Sequence, residues 1–137
     1  MVLYSLNWWA IIISAIAATV LGFLWYGLFF GKTWMDLSGV SQKDIKKAKE
    51  KSMTKAYVFN FIATFVMVFV LALLLEFTGS GITNGLLTGL FVWLGFIATT
   101  MLNSVLWEGK PFKLYLLNIF YYLISLLIAG AILSAWV

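Results

Sequence analysis

The sequence predicts an all-α integral membrane protein: a four-helix transmembrane bundle with a short basic cytoplasmic helix between the first two spans. Three observations carry this. Hydrophobic residues make up 64% of the chain and charged residues only 10%, against roughly 45–50% and about 25% in soluble domains. Four apolar segments are each long enough to cross a hydrocarbon core of about 30 Å at ~1.5 Å per residue. The lysines gather in alternate connections between them. A soluble fold of 137 residues could not hide so much apolar surface, because its surface-to-volume ratio is too high.

The expected spans are 8–30, 57–77, 86–107 and 112–136 in a single domain. The first is read as a span and not as a cleaved signal peptide, since no positive region precedes it and the apolar run is too long. Trp8 and Trp9 open it, Trp25, Tyr26 and Trp34 attend its other end, and Trp107 and Trp136 close the third and fourth spans. Indole and phenol rings settle at the headgroup level because one edge is polar and the rest is not.

All nine basic residues are lysines. Seven lie in the connection 31–56, and Lys110 and Lys113 follow the third span. In a four-span chain these two connections share one side, which the positive-inside rule makes cytoplasmic. Both termini are then expected outside. The lysines, Lys43, Lys46, Lys47, Lys110 and Lys113 among them, suit anionic lipid headgroups better than nucleic acid. Within the first connection, Ser41-Gln42-Lys43-Asp44 reads as a capping box, predicting a basic surface helix from Gln42 to about Lys51. That helix serves either as a docking surface or as a solvated topology determinant.

Helix contacts are expected along rows of small residues: Ala10, Ser14, Ala18 and Gly22 on the first helix, and Gly85, Gly89 and Gly95 on the third, the last continuing through Thr99 to Asn103. Small side chains let backbones approach where no hydrophobic drive exists. Such rows also make a homo-oligomer the expected state.

No histidine or cysteine is present, which excludes imidazole bases, thiol nucleophiles, disulfides and Cys/His metal sites. No metal and no cofactor are expected. No charged residue sits near the middle of a span, which argues against a proton-driven pump. Trp25, Tyr26, Asn60, Asn103, Asn118 and Tyr122 all fall within about 12 Å of the lysine-bearing boundary, and Glu108 lies at its mouth. They form either a polar pocket for a lipid headgroup or small amphiphile, or a network of interhelical hydrogen bonds. Carboxamides bind and orient but exchange no proton at neutral pH, so no catalytic residue is assigned. An enzyme using Glu108 as base, with Lys110 and Lys113 on a phosphate, is the weakest of the readings.

Asn7-Trp8, Trp25-Tyr26, Gly31-Lys32-Thr33-Trp34, and Trp107-Glu108-Gly109-Lys110-Pro111-Phe112-Lys113 followed by Asn118 and Tyr121 stand in the order and spacing of a known family. Across nearly its whole length the chain resembles the bacterial domain-of-unknown-function family 1761. The resemblance implies a small four-helix membrane protein with no assigned activity. Several relatives carry histidine after the fourth-helix tyrosine; here that position is Tyr122, so no metal or proton-relay role carries over.

The lysine asymmetry makes a first prediction. A fluorescent protein fused after Lys46 folds and fluoresces in the cytoplasm, and alkaline phosphatase fused there stays inactive.

Overall fold

The computed structural model describes residues 6–39, 41, 43, 44, 46, 47, 54–79 and 81–136. Among them the chain is all-α, and four helices are long and apolar enough to cross a membrane. They are α1 (Trp8–Phe29), α3 (Thr54–Thr78), α4 (Ile82–Leu106) and α5 (Phe112–Ala135). A short helix, α2 (Gly31–Ser38), follows α1 directly. The outward surface is strongly apolar: Leu28 is 74% exposed, Phe77 76% and Phe96 71%. Lipid is the environment in which such a surface is stable.

Local chemistry sets the ends of the helices. Asn7 caps α1, its Oδ1 accepting from the Ala10 amide at 3.1 Å, while its Nδ2 donates to the Trp136 carbonyl at 3.2 Å. One carboxamide thereby ties the start of α1 to the end of α5. The α3–α4 turn uses Gly79 (φ +126°) and Gly81 (φ +98°), conformations open to glycine and strained for other residues. Gly85, expected near the start of the third span, lies a full turn inside α4. Gly109 (φ +68°) ends the α4–α5 turn, and Pro111 precedes the first residue of α5.

The predicted basic helix falls mostly outside the described residues; Lys43, Asp44, Lys46 and Lys47 within it are helical and exposed. Its capping box is present. The Asp44 amide donates to Ser41 Oγ at 3.2 Å, and the Ser41 amide donates to Asp44 Oδ2 at 3.1 Å. That backbone amide holds the Asp44 carboxyl below its ordinary range, so the box survives until the pH falls well into the acid range. Sequence reasoning did not foresee α2, which returns Trp34 toward the bundle.

Helix α5 is the hub. It buries Leu114, Tyr115, Leu117, Ile119, Tyr121, Ser125, Leu126, Ala129 and Gly130, and packs most extensively on α4 and α1. Its contact with α4 is a backbone contact: a Cβ on Gly85 would run into the Gly130 carbonyl and Ser134 Oγ, and one on Gly89 would stand 2.9 Å from the Leu126 carbonyl oxygen. On α1, Ala10, Ser14 and Ala18 are buried as the small-residue row predicts, together with Ile11 and Ala15. Gly22 leaves room for Tyr121, whose Oη would lie 3.1 Å from an added Cβ. Gly95 departs from its expected packing role. It is exposed, and a Cβ there would meet nothing within 4 Å. The Gly95–Thr99–Asn103 row faces outward because the α4 surface that meets α5 runs through Gly85, Gly89, Trp93 and Ala98.

Four aromatic side chains reinforce the hub by donating to main-chain carbonyls. From α1, Trp25 Nε1 reaches the Leu117 oxygen at 3.1 Å, and Tyr121 Oη returns to the Ala18 oxygen at 2.9 Å. From α4, Trp93 Nε1 reaches the Ile119 oxygen at 2.6 Å, and Tyr115 Oη returns to the Ala98 oxygen at 2.5 Å. Both α1 and α4 carry a widened, π-type turn beside these bonds, at Leu24–Phe29 and Trp93–Ala98. Widened turns displace the regular carbonyl partners. In the second of them Thr99 Oγ1 takes up the Gly95 oxygen at 2.7 Å.

Two predictions follow from this packing. Gly130→Ala is expected to destabilise the bundle by about 1–3 kcal/mol through overpacking, whereas Gly95→Ala stays within about 0.5 kcal/mol; unfolding in mixed detergent–SDS micelles, followed by circular dichroism, compares them. By the same assay Tyr115→Phe and Tyr121→Phe each cost about 0.6 kcal/mol, with an upper bound of about 1.7 kcal/mol.

Candidate functional site: a cavity at the lysine-bearing end

The helices diverge at the end that carries the lysines. Helix α3 packs through Val68, Leu71 and Ala72, toward the far end, while residues 54–60 are all exposed. The space left between α3 and the rest of the bundle is a cavity of about 720 Å³. Its walls are Gly22, Phe23, Tyr26 and Gly27 from α1; Gly31, Trp34 and Met35 from α2; Tyr57 from α3; Met101 from α4; and Asn118 and Tyr122 from α5. This size is ordinary for a small-molecule site, which characteristically combines an apolar lining with a few placed polar groups.

The polar groups are few and oriented. Tyr26 Oη donates to Asn118 Oδ1 at 2.7 Å. The Tyr26 ring meets Tyr121 edge-on at 5.4 Å and Trp34 edge-on at 6.3 Å. Tyr121 in turn meets Tyr122 at 5.1 Å, and Phe23 meets Tyr57 at 5.7 Å across the α1–α3 side. The widened turn of α1 lets consecutive residues both engage α5: Trp25 bonds the Leu117 carbonyl while Tyr26 bonds Asn118. Trp25 lies behind the cavity, its ring 4.6 Å from Phe30.

Of the residues singled out in the sequence, the structure gathers Tyr26, Asn118 and Tyr122 into this lining, with Trp25 as support. It does not bring Asn60, Asn103 or Glu108 there. Asn60 and Asn103 are exposed on α3 and α4, and Glu108 is exposed in the turn after α4. Azimuth separates these residues: Asn118 lines the cavity, while Asn60 and Asn103 face outward. Lys43, Lys46, Lys47, Lys110 and Lys113 are all exposed and outside the lining. Sequence reasoning missed Phe23, Gly27, Trp34, Met35, Tyr57 and Met101 as lining residues. Trp34 and Tyr57 gave a signal, as aromatics at span ends, but an aromatic headgroup anchor and a cavity wall have the same sequence signature.

The lining contains three phenols, one carboxamide, one indole and two thioethers, and no carboxylate or amine. Its chemistry is that of binding and orientation. Among the described residues no group of three or more Asp or Glu side chains could hold a metal ion.

No curated protein and no solved structure matches the chain. A family profile matches residues 9–134, nearly its whole length. The chain therefore belongs to the family described as "Protein of unknown function (DUF1761)", which the order of its tryptophan, asparagine and glycine–lysine motifs had suggested.

Proposed function

We propose that this multi-pass membrane protein is a non-enzymatic binding protein that takes a small amphiphile into the cavity between α1, α3 and α5. The observation that carries the reading is the composition of that cavity: an aromatic and thioether lining around one oriented Tyr26–Asn118 pair, open where α3 diverges. The amphiphile's apolar body lies against Phe23, Met35 and Met101, and its polar end reaches Asn118. The lysines outside the cavity sit at the cytoplasmic headgroup level and contact anionic lipid. Opposite the cavity, the other half of the bundle is filled by Ile11, Val68, Leu71, Leu126 and Ala129, which favours binding over conduction of a solute across the membrane. Homo-oligomerisation belongs to the same reading, supported by the outward-facing row of Gly95, Thr99 and Asn103 and by Asn60 on the neighbouring helix. A carboxamide that faces hydrocarbon gains from a partner across an interface.

Gly27 supplies the test. It lines the cavity, and a side chain there meets no neighbour within 4 Å at its Cβ. Gly27→Phe is expected to fill the cavity and leave the fold intact. Native mass spectrometry of protein released from mild detergent is expected to show a bound amphiphile, and more than one copy, for the unaltered chain. The bound mass disappears for Gly27→Phe while the copy number persists. Bound mass retained in that variant contradicts the assignment of the site.

A further inference from the structure

We infer that the polar end of the bound molecule is an uncharged hydrogen-bond acceptor, a ketone, ester or amide carbonyl, held by Nδ2 of Asn118. The inference rests on the cavity being a binding site and specifies its chemistry.

Tyr26 uses its hydroxyl hydrogen on Asn118 Oδ1 at 2.7 Å. With Oδ1 taken up by Tyr26, the two Nδ2 hydrogens lie on the other end of the carboxamide. Among the described residues, no acceptor lies within hydrogen-bonding distance of Nδ2. At this depth in a span, water is scarce and an unused donor is costly. An acceptor on a ligand removes that cost.

Charge decides between acceptors. The lining has no cation to balance a carboxylate or phosphate. It also has no carboxylate to balance an amine; the charged residues next to it in sequence are Lys32, beside the lining residue Gly31, and Asp36, beside the lining residue Met35, both exposed. The faces of Tyr26, Trp34, Tyr57 and Tyr122 could attract a quaternary ammonium, but the chain carries a net charge of +4 with its lysines concentrated around this end. A long-chain trimethylammonium would enter against that field. A neutral carbonyl enters without penalty and meets the Asn118 donor.

The test uses the full chain in a mild non-ionic detergent. The probe is a long-chain methyl ketone labelled with carbon-13 at the carbonyl, read by its infrared stretch. Competitors of equal chain length carry a methyl ester, a trimethylammonium group or only hydrogen. A saturable, red-shifted carbonyl band is expected, with the ester competing as well as the ketone and the plain alkane about fivefold more weakly, the worth of one hydrogen bond. In Asn118→Leu the red shift is expected to vanish and the ketone to bind no better than the alkane. Asn118→Gln, which keeps a donor, restores part of the shift. Should Asn118→Leu fail to fold, Tyr26→Phe frees the carboxamide to rotate and is expected to broaden the band. Saturable binding without a red shift, or tighter binding of the trimethylammonium compound, overturns the carbonyl assignment and leaves the cavity a binding site. No saturable binding by any member of the series overturns the binding site itself.

Discussion

A membrane helix has no water to satisfy a polar side chain, and in this bundle four aromatic donors find their acceptors on the main chain of a neighbouring helix. Trp25, Trp93, Tyr115 and Tyr121 each donate across a helix boundary to a main-chain oxygen, two toward α5 and two away from it. Each bond is worth little by itself, about 0.6 kcal/mol on average. Their importance is geometric. Together with the backbone contact between Gly85 and Gly130, they fix α1 and α4 on two sides of α5, at defined heights and rotations. The widened turns at Leu24–Phe29 and Trp93–Ala98 contain two of the donors, Trp25 and Trp93, and one of the acceptors, the Ala98 carbonyl.

Helix α3 is exposed over residues 54–60 at the lysine-bearing end, where Tyr57 meets Phe23 edge-on at 5.7 Å. Its buried residues lie toward the other end, beside the cluster of Ile11, Leu126 and Ala129, and the Trp8–Phe69 stack at 5.5 Å closes that end further. A helix buried toward one end and exposed toward the other leaves a wedge. Its walls here are the tyrosines of α1 and α5, and α2 folds Trp34 and Met35 back to form the floor. The position of the cavity is thus a consequence of where the aromatic ties are and where they are not.

Much of this was legible in the sequence. Hydropathy gives the four spans, because the bilayer imposes one length on all of them. The small-residue rows at Ala10, Ser14 and Ala18, and at Gly85 and Gly89, mark real contacts, since only short side chains permit such approach. The capping box at Ser41 and Asp44 is a local interaction and so survives any tertiary arrangement. Azimuth was not legible. Asn60, Asn103 and Asn118 share a depth, yet only Asn118 turns inward, because helices that are apolar all round carry no periodic signal of which face is buried. The widened turns were equally silent. The donors within them, Trp25 and Trp93, bond Leu117 and Ile119, 92 and 26 positions away in the chain, and such distant relations leave no local signal.

On this reading α3 is buried toward one end and exposed over residues 54–60. The chain has no cysteine, so single cysteines can be introduced along α3 and spin-labelled without background. Oxygen accessibility measured by electron paramagnetic resonance in lipid vesicles is expected to be high at every position from 54 to 60. From 64 to 75 it is expected to oscillate with helical period, with minima at Val68, Leu71 and Ala72. Strong oscillation of the same amplitude through 54–60 would show α3 packed along its whole length, and would contradict the account.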